Sequence, residues 1–282
     1  MKNKYLITSG YYDIFIRNDL TSLLLYYDHF SQGLFLPKYL SYSYIRKTIH
    51  FLLRIFIILI YLSNAYKVKY KTISMEENSL IVIKGKTAWS STIKLVEENG
   101  ALKITKQLHS KKLYLREKKF YNQYKNVNSK VKLPKSVFLD KNIVETDFVK
   151  GKSLFRLIND GTLNYNQTLN QFSIIKDKLI KTFYGKGRTL VHGDLDCGNI
   201  IMKGDDYYII DYSDAQQGYY YWDLYKLFFS MLASFHYVTY DQILLPKIIN
   251  NEKLLLLLGL TVNEIQKADN QNVSLLNIDI HQ

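Results

Sequence analysis

The sequence predicts an α+β protein with two lobes, and three observations support that prediction. Apolar and polar residues alternate from Lys67 onward, a pattern typical of half-buried strands. The pair Asn99-Gly100 separates two such runs and favours a tight antiparallel hairpin. After Gly151 the strand pattern mostly gives way to longer segments that favour helices. A small antiparallel sheet should therefore come first, followed by a mainly helical lobe.

The chain divides into three predicted regions. Its 282 residues are enough to bury the cores of two lobes. We expect an N-terminal apolar, helical extension over residues 1–66, a sheet lobe over 67–147 and a mainly helical lobe over 148–282. The single cysteine excludes an intramolecular disulfide framework and fits a reducing compartment, so we expect a cytoplasmic protein.

An apolar run covers residues 51–62 within the extension. A membrane-spanning helix needs roughly 20 apolar residues, and this run has about half that number, with Arg54 inside it. Three interpretations remain open: a buried packing helix, a helix in a membrane interface, and a short span. The length argues against a span, whereas basic residues on both sides suit an interface. An interfacial helix would place the protein peripherally on the inner face of the membrane.

The sheet lobe is predicted as a series of strands with one inserted helix. Residues 111–126 contain no breaker and favour the helix. The pair Lys141-Asn142 favours a turn between the last two strands. A first strand is indicated where Val68, Tyr70 and Thr72 alternate with lysines. Further strands are expected at residues 80–83, 92–96, 101–105, 137–139 and 143–149.

The net charge of +13 is concentrated in the sheet lobe. Residues 67–147 contain eighteen Lys and Arg against eight Asp and Glu. Such a segment would attract a polyanion: a nucleotide, a phosphorylated glycan, an anionic lipid or a nucleic acid. A solvated, Lys-rich surface explains the charge equally well. Nucleic acid is the weaker interpretation because no recognisable binding motif accompanies the charge.

The most informative segment contains a His-x-Asp motif at His192 and Asp194. Asn199 follows five residues later, and Asp211 ends an apolar run twelve residues after that. Phosphoryl transfer from ATP needs a carboxylate that takes the proton of the attacking hydroxyl, and oxygen ligands that hold Mg²⁺ on the phosphates. We therefore expect Asp194 to be the catalytic base, and Asn199 and Asp211 to bind the metal. The alternative is a loop with three unrelated polar residues. Strand-like runs at 189–191, 200–202 and 207–210 place each group at a strand end and favour the site.

This segment resembles the catalytic and metal loops of the protein-kinase-like superfamily, in its branch of aminoglycoside, choline and sugar kinases. That branch favours His-Gly-Asp, and small residues such as Cys197-Gly198 precede its Asn. Its metal loop is similar to Asp-Tyr-Ser-Asp-Ala at residues 211–215. Only eleven residues separate Asp211 from Asp223, too few for the long activation segment of a protein kinase. The resemblance covers residues 78–235 and implies a two-lobed, protein-kinase-like fold that uses ATP and Mg²⁺.

The resemblance also implies a phosphate-binding lysine on a strand and a glutamate partner on the next helix. Lys103 occupies the position of that lysine, and Lys106 is the fallback on the opposite face of the strand. Glu117 is the expected partner, because a carboxylate within an apolar helical stripe needs a buried cation. The alternative is a surface glutamate in a Lys-rich helix. The stripe consists of Leu113, Glu117, Phe120, Tyr121 and Tyr124.

Four further expectations follow from the family pattern. The phosphate-covering loop, residues 84–91, has one glycine, so Ser90 and Ser91 are the expected phosphate contacts. The backbone of residues 145–148 should meet adenine. His192 should hold the catalytic loop in place, and Asp223 matches a family aspartate that hydrogen-bonds the backbone of that loop.

Three other residues of this region have open or minor roles. Asp196 and Asp214 either meet the substrate or are solvated surface residues. Cys197 is expected to be a small, buried packing residue and not a nucleophile.

The expected function is ATP- and Mg²⁺-dependent phosphorylation of a hydroxyl on a small molecule or sugar. The basic lobe and the apolar run favour an acceptor of the bacterial envelope, such as a lipopolysaccharide-core or other lipid-linked sugar, with peripheral contact to an anionic membrane. An aminoglycoside acceptor is less attractive, because a polycation needs an acidic cleft. Residues 148–282 contain thirteen basic and fourteen acidic residues, which does not provide one.

A nucleotide-binding pseudokinase or scaffold, at a membrane or within a complex, is the alternative from another class. The glycine-poor phosphate loop suits that interpretation. The joint presence of the predicted base, metal ligands, lysine and glutamate argues against it, because a kinase that has lost its activity has usually lost at least one of these residues.

Overall fold

The computed structural model describes residues 4–8, 12–17, 19–27, 52, 55, 78–85, 91–127, 129–184 and 188–234. The chain separates into two compact units. Unit 1 comprises Met1–Lys125 and Leu133–Lys152, and unit 2 comprises Asn126–Lys132 and Ser153–Gln282.

The described residues form thirteen strands and five α-helices. The strands are β1 (Lys4–Thr8), β2 (Tyr12–Arg17), β3 (Ser79–Gly85), β4 (Thr92–Glu98), β5 (Ala101–Gln107), β6 (Val131–Lys132), β7 (Ser136–Phe138), β8 (Ile143–Asp147), β9 (Lys152–Ser153), β10 (Arg188–Val191), β11 (Ile200–Lys203), β12 (Asp206–Ile209) and β13 (Gln216–Tyr219). The helices are α1 (Leu20–Leu25), α2 (Lys111–Tyr124), α3 (Leu154–Asn159), α4 (Tyr165–Lys178) and α5 (Tyr220–Ala233). Leu179–Tyr184 continues α4 as a π-helical segment. No helix within these described ranges is long and apolar enough to cross a membrane.

Unit 1 contains one seven-stranded sheet in the order β1-β2-β3-β4-β5-β8-β7. Every neighbouring pair is antiparallel. The two predicted turns are confirmed, since Asn99 and Gly100 have φ of 51° and 76°, and Lys141 and Asn142 have φ of 57° and 60°. Two successive left-handed residues match the right-handed twist of a hairpin, which is why Asn and Gly favour these positions.

The core of unit 1 lies on one face of this sheet, where aliphatic side chains of neighbouring strands meet. Burial of each large aliphatic side chain contributes about 1.5–3 kcal/mol, so this cluster stabilises the strand register as well as the sheet. Leu102 and Ile104 of β5 pack against it. Its buried members are Ile14, Ile16, Tyr26, Leu80, Ile81 and Leu95.

The predicted helical extension over residues 1–66 is wrong for residues 4–8 and 12–17, which are strands, whereas α1 (Leu20–Leu25) is helical as predicted. Strands β1 and β2 form a hairpin, and β2 pairs with β3 of the main sheet. Side chains on both faces of β2 are buried, with Ile14, Phe15 and Ile16 at most 9% exposed. A strand buried on both faces shows no alternation, so the period-two signal was absent. The apolar run at 51–62 and the strand predicted around residues 68–72 lie outside the described residues, except for exposed Leu52 and Ile55.

Unit 2 is mainly helical and contains two small sheets. One has the order β6-β12-β11-β9, and the other pairs β10 with β13. Helix α4 begins with a capping box between Asn164 and Gln167. The rings of Phe172 in α4 and Phe228 in α5 pack with centroids 4.9 Å apart. This core supports three segments that contain the predicted chemistry: the β10–β11 loop, the segment after β12, and α5.

Candidate active site

A buried lysine–glutamate pair links β5 to α2 in unit 1. Lys106 Nζ lies 3.3 Å from Glu117 Oε2, and the two side chains are 13% and 5% exposed. Lys103 instead lies 2.8 Å from Glu98 Oε2, and this pair is much more exposed. Its hydrogen bond to Glu98 raises the pKa of Lys103. The prediction that Lys103 pairs with Glu117 is therefore wrong, and the fallback, Lys106, makes the contact.

The register of β5 explains this correction. Ile104 lies opposite Leu95 of β4, and Lys106 lies opposite Ile93, so the side chains of Ile104 and Lys106 share one face. That face is the one on which Ile104 packs against the core of unit 1. Lys103 precedes Ile104 by one residue, so its side chain points to the opposite face of the sheet. The alternation Leu102, Ile104, Lys106 was the signal in the sequence that identifies the inward-facing lysine.

The other predicted nucleotide contacts in unit 1 are only partly described. Ser90 lies outside the described residues, and Ser91 is a half-buried residue directly before β4. In the segment expected to meet adenine, the N–H of Phe148 donates to the carbonyl of Leu102 at 3.0 Å. The N–H of Asp147 donates to the carbonyl of Lys135 at 2.9 Å. These two amides therefore support unit 1 itself.

The catalytic loop of unit 2 joins β10 to β11 and is anchored to α5 by Asp223. The Asp223 carboxylate accepts hydrogen bonds from the N–H of His192 at 2.6 Å, the N–H of Gly193 at 2.9 Å and the hydroxyl of Tyr184 at 2.7 Å. Burial raises the pKa of Asp223, and the hydrogen bonds from the three donors partly oppose that rise. Asp223 thus fixes the backbone immediately before Asp194.

His192 connects the catalytic loop to the metal loop. Its buried ring places Nε2 2.9 Å from the carbonyl of Ile210, while Nδ1 accepts from the N–H of Asp194 at 3.3 Å. These two contacts require a proton on Nε2 and none on Nδ1, so they define one neutral tautomer. The ring also packs edge-on to Tyr212, which is fully buried. His192 therefore holds both loops in a fixed arrangement.

Gly193 allows the loop to pass very close to the segment after β12. Its φ is +84°, and an added Cβ would lie 2.3 Å from the backbone oxygen of Asp214. A side chain at this position would therefore push the two loops apart. The glycine is required by both its left-handed backbone and the close approach.

Asp196 and Cys197 shape the second half of the loop. One carboxylate oxygen of Asp196 accepts from the N–H groups of Gly198 at 2.8 Å and Asn199 at 2.9 Å. Burial raises the pKa of Asp196. Cys197 is 2% exposed, and its N–H donates to the hydroxyl of Ser230 at 2.8 Å. Cys197 is therefore buried as predicted, and this burial raises the pKa of its thiol to about 11.

The two predicted metal ligands lie at the open end of the β11–β12 hairpin. Ile200 is directly opposite Ile209, and the N–H of Ile210 donates to the carbonyl of Asn199 at 3.0 Å. Asn199 therefore lies across from Ile210, one residue from Asp211. Asn199 Nδ2 donates to the carbonyl of Asp194 at 2.8 Å, which links one predicted metal ligand to the backbone of the predicted base.

Asp211 has a strained backbone, with φ of +59°. Such a conformation is uncommon for a residue with a side chain, and it is often maintained at functional sites. Asp211 is exposed, and Asp214 three residues later is exposed as well.

The donor set fits Mg²⁺. An amide oxygen and a carboxylate are hard ligands, and Mg²⁺ in nucleotide sites uses one or two protein ligands together with phosphate oxygens and waters. Within the described ranges, no group of three or more His, Cys, Asp and Glu forms a self-sufficient metal cage. The pair Asn199 and Asp211 suits a metal that arrives with the nucleotide.

Lys226 of α5 is a site residue that sequence reasoning missed. Its ammonium contacts the Asp194 carboxylate and lies 3.4 Å from the carbonyl of Gly193. It also lies 5.8 Å from the centroid of the Trp222 ring. Asp223 and Lys226 are the two charged residues of an otherwise largely apolar helix, three positions apart. Because such positions share a helix face, Asp223 could have identified Lys226.

Comparisons with known proteins place these features in context. The RIO domain family matches residues 68–219, which is just over half of the chain. Among solved structures, the apo form of a thermostable mutant of aminoglycoside phosphotransferase APH(4)-Ia is similar, at 11% sequence identity and a TM-score of 0.36. The similarity covers 77% of this chain and 92% of that one. A search of the curated proteins finds no match.

Proposed function

Because the chain belongs to the RIO domain family, within the protein-kinase-like superfamily, we propose that it transfers the γ-phosphate of ATP to a hydroxyl on a small molecule or sugar. The fold is that of a kinase-like enzyme with ATP-dependent phosphotransfer chemistry. The acceptor and the residue roles below are our proposal.

One observation supports this proposal most strongly. The hydrogen bond from Asn199 Nδ2 to the carbonyl of Asp194 joins the proposed metal ligand to the backbone of the proposed base, and Asp211 follows the β11–β12 hairpin that begins directly after Asn199. In our proposal Asp194 accepts the proton of the acceptor hydroxyl, and Asn199 and Asp211 hold Mg²⁺. The metal, when bound with ATP, neutralises charge on the phosphates.

Lys106 takes the phosphate-binding role in this proposal. Glu117 is 4% exposed and lies against the Lys106 ammonium, which fixes the direction of the lysine side chain. A lysine held by a buried carboxylate is a preorganised positive charge for the nucleotide phosphates.

The short connection between Asp211 and α5 favours a small-molecule acceptor over a peptide. Part of this short connection is β13, which pairs with β10 through four residues. It therefore offers little free chain for binding a peptide. The basic residues of unit 1 favour an anionic acceptor, such as a phosphorylated envelope glycan or lipid-linked sugar, and contact with an anionic membrane surface. The RIO domain match favours a second candidate, a hydroxyl on a protein side chain.

Transfer of radiolabelled γ-phosphate to a panel of acceptors tests these alternatives. The panel contains lipopolysaccharide-core sugars, lipid-linked sugars, aminoglycosides and proteins, each with and without Mg²⁺. We expect labelling of a sugar acceptor that needs Mg²⁺ and is lost in Asp194→Asn. Labelling of proteins alone would favour the second candidate.

A nucleotide-binding scaffold would give a different result. It would bind ATP in calorimetry but label nothing in the panel and release no phosphate to water. That outcome would contradict the proposed enzyme activity.

A further inference from the structure

We propose that Lys226 is a positioning residue for the predicted base Asp194, an inference that rests on the function proposed above. In unit 2, the Lys226 ammonium contacts one carboxylate oxygen of Asp194, Oδ1. A carboxylate that takes a proton from an acceptor must present its other oxygen in a fixed direction. By holding Oδ1, Lys226 directs Oδ2 toward the acceptor hydroxyl.

Two contacts besides the one to Asp194 show that Lys226 is held in place and is not an ordinary flexible surface lysine. Its Nζ lies 3.4 Å from the carbonyl of Gly193, directly before Asp194. Trp222 Nε1 donates to that same carbonyl at 3.3 Å. The Lys226 ammonium lies over the Trp222 ring, 5.8 Å from its centroid, where the ring attracts a cation. Lys226 and Trp222, both on α5, therefore contact the same backbone carbonyl, that of Gly193.

The position of Lys226 on α5 continues a stripe that supports the catalytic loop. Asp223 accepts from the backbone of His192 and Gly193, and Ser230 accepts from the N–H of Cys197. Residues 223, 226 and 230 follow the three- and four-residue spacing of one helix face. Asp223 and Ser230 bind loop backbone, whereas Lys226 also binds the side chain of the base. This difference assigns Lys226 a role in orientation beyond loop support.

The Lys226–Asp194 pair is exposed enough that an effect on the orientation of Asp194 can be measured apart from an effect on stability. The side chains of Lys226 and Asp194 are 32% and 45% exposed, so the ion pair itself contributes little to folding. Lys132 and Asp206 form a matched pair in unit 2, with side chains 34% and 38% exposed and Nζ 2.6 Å from the carboxylate. Removal of either lysine should have a similar, small effect on stability, but only Lys226 should affect the reaction.

Single-turnover hydrolysis of Mg²⁺-ATP by the full chain, with water as the acceptor, tests the inference. We expect Lys226→Met to lower the rate by about tenfold to a hundredfold, as misplaced catalytic groups do. Calorimetry should give an ATP Kd within about twofold of wild type, because Lys226 acts through Asp194 and not on the nucleotide. Lys226→Arg should retain more activity than Lys226→Met. The control Lys132→Met should match wild type in both measurements.

A double-mutant cycle shows whether Lys226 acts through Asp194. In an Asp194→Asn background, Lys226→Met should cause no further loss of rate. An unchanged rate in Lys226→Met, a tenfold weaker ATP Kd, or a full additional loss in the double variant would each overturn the inference.

Failure of the proposed function would be recognised separately. If wild type neither hydrolyses ATP nor labels any acceptor of the panel, the proposed enzyme activity fails, and crystal structures of wild type and Lys226→Met then decide the inference. A displaced Asp194 carboxylate in the variant supports the positioning role, whereas an unmoved carboxylate overturns it.

Discussion

Exchange of Lys106 for methionine should damage both stability and nucleotide binding. The Lys106–Glu117 pair is almost fully buried, with side chains 13% and 5% exposed. Removing the lysine leaves the Glu117 carboxylate buried without this cation, and breaking such a pair costs about 3–5 kcal/mol. In a protein of this size that loss corresponds to a fall in Tm of roughly 6–20 °C. ATP affinity should fall as well, because the proposed phosphate contact is lost.

Lys103→Met on the same strand is the matched control. Its pair with Glu98 is 32% and 40% exposed, so its removal should have little effect on the free energy of unfolding. Calorimetric Tm and ATP Kd measured on both variants check the prediction. The double variant Lys106→Met, Glu117→Leu should recover part of the stability, because the buried carboxylate is removed together with its cation. The reasoning would be refuted if Lys103→Met caused the larger loss in either measurement.

Two further predictions concern the catalytic loop. Gly193→Ala should destabilise the protein and abolish ATP turnover, because its Cβ would lie 2.3 Å from the backbone oxygen of Asp214. Gly100→Ala has a similar positive φ and nothing within 4 Å of its Cβ, so it should cost only about 1–2 kcal/mol of backbone strain; equal Tm losses in the two variants would contradict this account. The Cys197 thiol, with a pKa of about 11, should be about one part in a thousand ionised at pH 8 and should react with a thiol reagent only after denaturation. The pKa of this thiol in the folded protein lies above its ordinary value of 9.0. The contribution of the buried, neutral thiol to the free energy of unfolding is therefore fully present below pH 9, and about 2–3 kcal/mol of it is lost as the pH rises to about 11. Denaturation of wild type and Cys197→Ala at pH 8 and at pH 11 measures that difference; rapid thiol reaction of the native protein would show that Cys197 is not buried.

Much of the sheet lobe was predictable because its strands and turns have signals in the local sequence. Alternation and the Asn99-Gly100 turn identified β4 and β5, and Lys141-Asn142 identified the turn before β8. The candidate site was equally local, because Asn199 and Asp211, the predicted metal ligands, lie next to the two strands of one hairpin in the sequence. Their roles stay predictions.

Features that depend on tertiary contacts were missed. The sequence around β2 contains Ile14, Phe15 and Ile16 in succession, and burial on both faces erased the alternation that marks a strand. The choice between Lys103 and Lys106 depended on which face of β5 meets the core. Lys226 lies 32 positions after Asp194 along the chain, so no local spacing relates the two residues. The errors at β2 and Lys226 concern partners that are distant in sequence, whereas the error at Lys103 concerns the face of β5 that meets the core.

The most direct test of the account is single-turnover ATP hydrolysis by wild type and Asp194→Asn, measured with Mg²⁺ and with a chelator, together with ATP Kd. The account predicts that wild type hydrolyses ATP only with Mg²⁺. It further predicts that Asp194→Asn is at least about a hundredfold slower and binds ATP within about twofold of wild type. Equal rates in the two proteins, or turnover that persists without Mg²⁺, would contradict the claim that this loop transfers phosphate.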